Sequence, residues 1–179
     1  MNPPQRNQWG NEMSSKRNAD HHAVVMQPGT GPSYWQPVPA NGHADPMLFP
    51  ANTRFEGLSM GFQTVAPRSR IREHSHPDQI ELQICFRGQG RVVVNGVSHP
   101  LVPGTSCFLG YHSKHEIIND SDDDLVMLYV ISPSGLEDFF KKIGKECQPG
   151  NPAPEPFARP EDIVAIERSM GMNDTTKVR

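Results

Sequence analysis

The sequence predicts an all-β fold, a jelly-roll barrel followed by one or two C-terminal helices. Short segments with alternating apolar residues recur along the middle of the chain, separated by turn residues at regular intervals. The chain has 18 Pro and 15 Gly residues and few apolar patterns of helix length. Asn95-Gly96, between two such segments, is a strong β-hairpin signal. About ten short strands of this kind are typical of a jelly roll.

Composition limits the classes of protein to consider. With 179 residues, 35% of them hydrophobic, the chain is long enough for one domain with a buried core. The formal net charge is -3 without a basic stripe, so we expect no nucleic-acid partner. The first residues lack the apolar core of a secretory signal, and no segment is long and apolar enough to span a bilayer. Three cysteines in no paired pattern argue against a disulfide framework, so we expect a cytoplasmic protein.

Polarity and turn content divide the chain into five segments. Residues 1–22 are polar and poor in aliphatic side chains, which predicts a disordered N-terminal arm or an arm lying on a neighbouring subunit. Residues 23–46 contain Gly, Pro and two aromatic residues and are predicted to wrap the domain as an extended segment. The barrel is predicted over residues 47–132, the C-terminal helices over residues 133–172, and a frayed tail over residues 173–179.

The predicted strands follow one another at short intervals. A first short strand is predicted at Val24–Met26, ahead of the barrel. Pro77-Asp78 separates two barrel strands, because Pro cannot continue the hydrogen-bonded ladder. Residues 125–131 form a continuous apolar run, which predicts a buried strand. The barrel strands are predicted at 58–65, 71–76, 80–87, 91–95, 97–101, 105–109, 115–119 and 125–131.

Two helices are predicted after the barrel. Ser134 and Glu137 have the spacing of a capping box, and an apolar stripe follows until Gly144 ends the helix. After a Pro-rich linker, Pro160 begins a second helix with acidic residues in its first turn, and Gly171 ends it. We expect both helices to serve packing or oligomerisation.

Three histidines and one glutamate form a candidate metal site in the barrel segment. His74 and His76 are two residues apart, so they project from one face of a strand. Pro77-Asp78 interrupts that strand and resets the register, which allows Glu81 to face the same interior. His115 lies on a later strand, so the fold has to bring it to the other three.

The residue types limit the ion and its role. Imidazole suits zinc, copper, iron and nickel, and an added carboxylate shifts the preference toward iron or manganese. A structural zinc site would use cysteines in a closed tetrahedron. Four ligands on one side of an octahedron leave two adjacent positions for a substrate, or for a substrate and dioxygen. We therefore expect one divalent ion (Fe, Mn, Ni, Cu or Zn). The alternative is that the four side chains only hydrogen-bond one another inside a polar barrel core.

Three further residues are candidates for contacts around this site. Gln83 lies one strand step beyond Glu81 on the same face, where it either hydrogen-bonds a ligand imidazole or contacts substrate or oxygen. Arg72 lies one step before His74, where it either neutralises an anionic substrate by a bidentate contact or pairs with Glu81 or a surface acid. Tyr111 is predicted at the rim, within reach of a bound ligand.

Two motifs in the barrel segment resemble those of the cupin family. The stretch His74-x-His76-x4-Glu81-x6-Gly88 resembles the first cupin motif. The stretch from Pro103-Gly104 through Gly110 to His115-x3-Asn119 is similar to the second. The resemblance covers roughly residues 47–132 and implies a double-stranded β-helix in which His74, His76, Glu81 and His115 hold a divalent metal.

The chain departs from the family pattern in its second motif. The family's Pro before the last ligand is Gly110 here, and its Gly three residues before that ligand is His112. Residues 132–140, with the sequence Ser-Pro-Ser-Gly-Leu-Glu-Asp-Phe-Phe, are similar to the tail of single-domain cupins likened to quercetin dioxygenases.

The resemblance and the metal chemistry lead to three functional hypotheses. The first is an oxygenase, resembling quercetin dioxygenase-like cupins, that cleaves or oxidises an enol, phenol or diketone-type small molecule, with Glu81 as both ligand and base. The second is a non-redox isomerase, cyclase or lyase that uses the metal as a Lewis acid. The third is a non-enzymatic small-molecule-binding barrel. We expect a homodimer, as is common in cupins, and no nucleic-acid or membrane partner.

Overall fold

The computed structural model describes residues 22–147 and 152–174. Within these ranges short strands dominate and three helices are present. No helix there is long and apolar enough to cross a membrane. The strands are β1 (Tyr34–Trp35), β2 (His43–Leu48), β3 (Ser59–Val65), β4 (Arg70–Ser75), β5 (Ile80–Arg87), β6 (Gly90–Val94), β7 (Val97–Leu101), β8 (Ser106–Leu109), β9 (His115–Ile118), β10 (Leu125–Ser132), β11 (Lys145–Glu146) and β12 (Asn173–Asp174). The helices are α1 (Pro50–Thr53), α2 (Leu136–Ile143) and α3 (Ile163–Ser169).

The strands form two antiparallel sheets that face each other. The seven-stranded sheet has the order β11-β1-β2-β3-β10-β5-β8, and the five-stranded sheet has the order β12-β4-β9-β6-β7. The chain crosses between the sheets from β3 to β4, from β4 to β5, from β5 to β6 and from β7 to β8. The predicted fold class, an all-β jelly-roll barrel with C-terminal helices, is confirmed.

The central strand β10 supplies much of the barrel interior. It pairs with β3 on one side and β5 on the other, so its side chains have neighbours on both edges. Its inward residues are almost fully buried, as the continuous apolar run predicts. Leu125 and Met127 pack with residues of the facing sheet, such as Val92 and Ile117. The inward residues of β10 are Leu125, Met127, Tyr129 and Ile131.

Helix α2 covers the other part of the interior. Its buried apolar residues recur at the helical spacing and pack against Tyr129 and Ile131. The ring centroids of Tyr129 and Phe140 are 5.6 Å apart in an edge-to-face contact. The helix therefore fixes one region of the barrel wall. The apolar residues of α2 in this cluster are Leu136, Phe139, Phe140 and Ile143.

The outer apolar face of the seven-stranded sheet carries side chains that point away from the barrel interior. In register, Leu82 lies opposite Phe108 on β8 and Val130 on β10. Leu82, Phe86 and Phe108 are 42%, 59% and 68% exposed. The outer apolar face comprises Met60, Phe62, Leu82, Ile84, Phe86, Phe108, Leu128 and Val130.

The predicted hairpin at Asn95-Gly96 joins β6 to β7. Asn95 has φ 48° and Gly96 has φ 83°, the left-handed conformation at both central positions that a two-residue turn of this kind requires. Gly90 pairs with Leu101 and Val94 with Val97, so the turn sets the register of the pair. This prediction is confirmed.

Two local predictions are wrong. Val24–Met26 forms no strand, and β1 and β2 arise instead within the segment predicted to be extended. Ser134 does not cap helix α2: the N-cap is Gly135, whose backbone NH donates to Glu137 Oε2 at 3.0 Å. The hydroxyl of Ser134 donates to the carbonyl of Glu56 instead.

Outside the barrel, the other predicted segments are only partly covered. The predicted N-terminal arm lies outside the described residues except for His22. Residues 173 and 174 of the predicted tail form β12, and residues 175–179 lie outside the described ranges. The second predicted helix is present as α3.

Candidate metal centre

Strands β4 and β5 bring three of the predicted ligands to one place. His74 is the next-to-last residue of β4, His76 follows the strand, and Glu81 is the second residue of β5. Residues 77–79 carry the chain from one sheet to the other, as the Pro77-Asp78 break predicts. The connection places the two histidines and the glutamate on facing walls of the barrel.

A β-bulge in β4 aligns the fourth ligand. Ile71 pairs with Ile117 of β9, whereas His74 pairs with His115, so β4 has one more residue than β9 between these two pairs. Ile71 packs against the core cluster, and directly opposed residues share a face of the sheet. Without the extra residue, regular alternation from Ile71 would place Glu73 opposite His115. The bulge therefore lets both an apolar residue and a histidine of the same strand face the interior.

The four side chains form one compact cluster. One potential ligand atom from each of them lies within 4.8 Å of the others. Oε2 of Glu81 is 3.4 Å from Nε2 of His76 and 3.3 Å from Nε2 of His115. The ring centroids of His74 and His115 are 4.1 Å apart. Glu81, His76 and His115 are 2%, 3% and 0% exposed, while His74 is half-buried.

Backbone carbonyls orient two of the imidazoles. Nδ1 of His74 lies 2.8 Å from the carbonyl oxygen of Arg72, and Nδ1 of His115 lies 2.9 Å from that of Ser113. A carbonyl only accepts, so each Nδ1 carries the proton and each Nε2 presents its lone pair. This arrangement is typical of metal-binding histidines, whose second nitrogen donates to a carbonyl or carboxylate.

The electrostatics favour neutral imidazole and ionised carboxylate. Burial, together with the neighbouring charges of His115 and His76, holds the pKa of His74 well below its usual value. Burial alone would raise the pKa of Glu81, but the close approach and the charges of His115 and His76 outweigh it and hold that pKa below its usual range. These are the protonation states in which both residue types bind metal ions.

The cluster fits a divalent metal ion. Both ring nitrogens of His76, Oε2 of Glu81 and Nε2 of His115 are buried and have no hydrogen-bond partner among the described residues. Buried polar atoms of this kind are costly unless something satisfies them. Three imidazoles and one carboxylate suit iron, manganese, nickel, copper or zinc. The four side chains can therefore hold one such ion.

Gln83 contacts a carboxylate and not an imidazole. Its Nε2 donates to Oε1 of Glu81 at 3.1 Å, and the side chain is 3% exposed. Its Oε1 is buried without a partner among the described residues. The hydrogen bond orients Glu81 so that Oε2 is turned toward His76 and His115.

The two remaining candidates, Arg72 and Tyr111, lie in different parts of the structure. Arg72 lies in the bulge of β4, and its carbonyl oxygen contacts Nδ1 of His74. The bulge interrupts the regular alternation that the sequence suggested for this strand. Tyr111 lies in the turn between β8 and β9 and is 61% exposed. His112, in the same turn, is exposed as predicted.

Residues 61–131 match the family model described as Cupin domain. This part of the barrel is therefore similar to cupin domains. Its second motif is the one that departs from the family pattern, yet His115 still completes the cluster.

The chain is similar to proteins with several different names. The chain is 30% identical over 78 residues to the L-ectoine synthase of Aliivibrio fischeri, a match that covers 43% of this chain and 60% of that protein. The match thus spans less than two thirds of that relative's length. A predicted oxalate decarboxylase from Thermotoga maritima superposes with a TM-score of 0.56 at 21% identity, covering 62% of this chain and all of that one. The polyketide cyclase RemF from Streptomyces resistomycificus superposes with a TM-score of 0.56 at 12% identity, covering 63% of this chain and 81% of that one. At these identities the two structures show the fold alone.

A cleft adjoins the candidate metal centre at His74. Gln63 and Arg159 line it, and the sequence reasoning identified neither residue. Gln63 is on the inward face of β3, two positions from Val65, so strict alternation along β3 was the signal that could have found it. Arg159 follows the linker after α2, and no local pattern marks its position in the fold.

Proposed function

We propose that this protein is a metal-dependent cupin enzyme that converts a small molecule at a single divalent ion held by His74, His76, Glu81 and His115. One observation carries the proposal: Oε2 of Glu81 faces Nε2 of His76 and of His115 at 3.4 and 3.3 Å, and all three atoms are buried without a hydrogen-bond partner in residues 22–147 and 152–174. An unsatisfied buried group costs about 1–3 kcal/mol, so a cation that satisfies all three is strongly favoured. When bound, the ion supplies a Lewis acid and, for iron, nickel or copper, a redox centre.

The chain's own residues divide the remaining work. Glu81 is assigned as a ligand and as the acceptor of a substrate proton, because its carboxylate is ionised in the barrel interior. Gln83 holds Oε1 of that carboxylate in place. His74 is the one ligand of the four that is not fully buried, and the cleft begins there. We therefore assign the approach of substrate to the His74 side.

The first reaction class we propose is oxidation or oxidative cleavage of an enol, phenol or diketone-type molecule. The set of three imidazoles and one carboxylate supports it, because this donor set suits redox-active ions. The test is oxygen uptake by iron-, nickel- and copper-loaded protein against a panel of phenols and diketones. Substrate-dependent uptake that disappears in a His115→Ala variant is the expected result. No uptake across the panel counts against this class.

The second class is a non-redox isomerase, cyclase or lyase reaction. The sequence match to a synthase supports it. Turnover by zinc-loaded protein under anaerobic conditions would separate it from the oxygenase. A protein that binds the ion but shows neither oxygen uptake nor anaerobic turnover is the third case, a small-molecule-binding barrel without catalysis.

The metal itself is tested independently of any substrate. Elemental analysis of freshly purified protein should find about one divalent ion per chain, as for other mononuclear sites. His115→Ala should lose most of it, since His115 is fully buried in the cluster. His99→Ala is the matched control, because His99 is exposed on β7 and outside the cluster. Equal metal content in both variants would contradict the assignment.

We also propose that two copies of the chain associate through the outer apolar face. Leu82, Phe86 and Phe108 expose large apolar side chains next to one another on neighbouring strands. Contiguous exposed apolar surface of this kind marks association sites. A flat sheet face can meet its own copy about a twofold axis, as in most homodimers.

A further inference from the structure

The cleft beside His74 combines an apolar wall with a cluster of charges. One wall is built from apolar residues of α2, of β4 and of the segments before and after the barrel. The charged lining contains three arginines and two glutamates, so it is positive by one unit before any metal is counted. The apolar wall comprises Val38, Ile71, Phe139, Ile143 and Met172, and the charged residues are Arg70, Arg72, Glu73, Arg159 and Glu167.

The bulge of β4 places Arg72 directly beside the metal centre. Its carbonyl accepts the proton of His74 Nδ1 at 2.8 Å, so its backbone is fixed relative to a ligand. Its side chain is half-buried and lines the same cleft as His74. A bulge next to a functional site commonly redirects a side chain in this way.

Arg159 reaches the same cleft from the C-terminal segment. Its Nη2 pairs with Glu167 of α3, a residue that is 6% exposed, and this pair holds the guanidinium at the cleft. Arg72 and Arg159 therefore line one cleft from two different elements, and an anion bound there would face a net positive lining.

We propose that the cleft binds a small molecule through a carboxylate group, with Arg72 and Arg159 holding the carboxylate and the apolar wall contacting its hydrocarbon part. A guanidinium matches the planar fork of a carboxylate. This inference rests on the proposed function for its claim that the bound molecule is the substrate, and it assigns the substrate class.

The test compares benzoate with its neutral isostere benzamide by calorimetric titration of the full chain. Benzoate should bind at least about tenfold more tightly than benzamide, since a charge-assisted contact is strong in a desolvated cleft. The preference should persist in metal-free protein, because neither arginine is among the ligands. Arg72→Gln should remove the preference, and Arg72→Lys should keep part of it, since the charge remains but the fork is lost.

Arg91→Gln is the matched control. Arg91 lies on β6, makes an exposed ion pair with Asp120 and does not line the cleft. Its replacement therefore removes one positive charge, as Arg72→Gln does, without changing how the cleft recognises a carboxylate. Equal binding of benzoate and benzamide by the wild type, or a preference that survives Arg72→Gln, would overturn the inference. Benzoate binding that requires the metal and ignores Arg72 would also overturn it, and would leave the metal-dependent function standing. If the protein binds no divalent ion even when ions are supplied, and still shows an arginine-dependent preference for benzoate, carboxylate recognition is supported and the metal-dependent function is refuted.

Discussion

The amide of Gln83 donates to Oε1 of Glu81 at 3.1 Å, while Oε2 of the same carboxylate faces His76 and His115. The two oxygens of Glu81 therefore have different partners. Oε1 is held by Gln83, and Oε2 is available to an ion. The position of a carboxylate ligand depends on such a partner as much as on its own backbone.

Replacing Gln83 should weaken metal binding without dismantling the barrel. Gln83→Met keeps a similar volume but removes the donor to Glu81, and loss of such a contact typically lowers metal affinity by about 10–100-fold. Competition with a chromophoric chelator measures the change. Gln79→Met is the control: Gln79 is also buried but donates to the carbonyls of Pro133 and Ser134. Equal affinities for the two variants would contradict an orienting role for Gln83.

Removing the metal should lower the stability of the fold. A ligand that binds only the native state adds about 4 kcal/mol at a free concentration 1,000 times its Kd. Chelation should therefore lower the thermal midpoint of the wild type. The same treatment should hardly change the midpoint of His115→Ala, whose cluster lacks one buried imidazole. If chelation lowers both midpoints equally, the ion that stabilises the protein is bound elsewhere.

Gly61 should not tolerate a side chain. A Cβ at this position would lie 2.4 Å from the carbonyl oxygen of Asp45 and 2.7 Å from Oη of Tyr129. Because β3 is held between β2 and β10, neither strand can move away freely. We expect Gly61→Ala to cost about 1–3 kcal/mol in urea unfolding. At Gly110 a Cβ would meet nothing nearer than 3.7 Å, so Gly110→Ala is the control. An unchanged midpoint for Gly61→Ala would show that the strands separate more easily than this packing implies.

A charge on the outer apolar face should prevent dimerisation. Phe108 is 68% exposed, so Phe108→Glu should leave the fold intact while placing a desolvated charge in the proposed contact. Light scattering after size exclusion should change from the mass of a dimer to that of a monomer. Val97→Glu puts the same charge on the other sheet, at a residue that is 58% exposed, and should remain dimeric. A wild type that is already monomeric would refute the proposal.

The pair of His43 and Asp45 should contribute stability that depends on pH. The hydrogen bond that Nδ1 of His43 donates to Oδ1 of Asp45, at 3.1 Å, raises the pKa of His43 against the opposing effect of burial. Because the folded pKa is the higher one, the contribution is complete below the unfolded value of about 6.5 and is lost as the pH rises through the folded value. The side chains are 33% and 29% exposed, so the contribution is at most about 1 kcal/mol.

Urea unfolding of His43→Gln at about pH 5.5 and pH 8.5, on either side of the imidazole pKa, measures this contribution. The substitution should cost more at the lower pH. His99→Gln, at an exposed histidine, should show no such difference. An equal cost of His43→Gln at both pH values would show that the pair does not depend on the charge of the imidazole.

The sequence predicts those parts of the barrel that local chemistry specifies. Asn95-Gly96 determines its own turn, and β5 begins and ends where the apolar alternation does, at Ile80 and Arg87. The sequence predicts the four residues of the candidate metal site because their types and spacings are unusual outside such a site. Glu81 needed one extra inference, the break at Pro77-Asp78, and the crossing between sheets confirms that break.

Other features depend on contacts between distant parts of the chain. The bulge of β4 follows from pairing with β9, some forty residues later, so alternation along β4 alone could not predict the extra residue between Ile71 and His74. Gly135, and not Ser134, caps α2 because Ser134 is held by Glu56. Arg159 reaches the cleft through the packing of α3, which no local pattern encodes.

The extra residue in β4 divides the strand into two parts. Ile71 packs in the apolar core, and from His74 onward the inward side chains belong to the candidate metal site. Deleting Glu73 would remove the extra residue, so His74 would stand two positions after Ile71 and remain opposite His115 on the interior face. Such a protein would keep its ligand set but lose the bulge that holds Arg72, so the extra residue bears on the lining of the cleft more than on the binding of an ion.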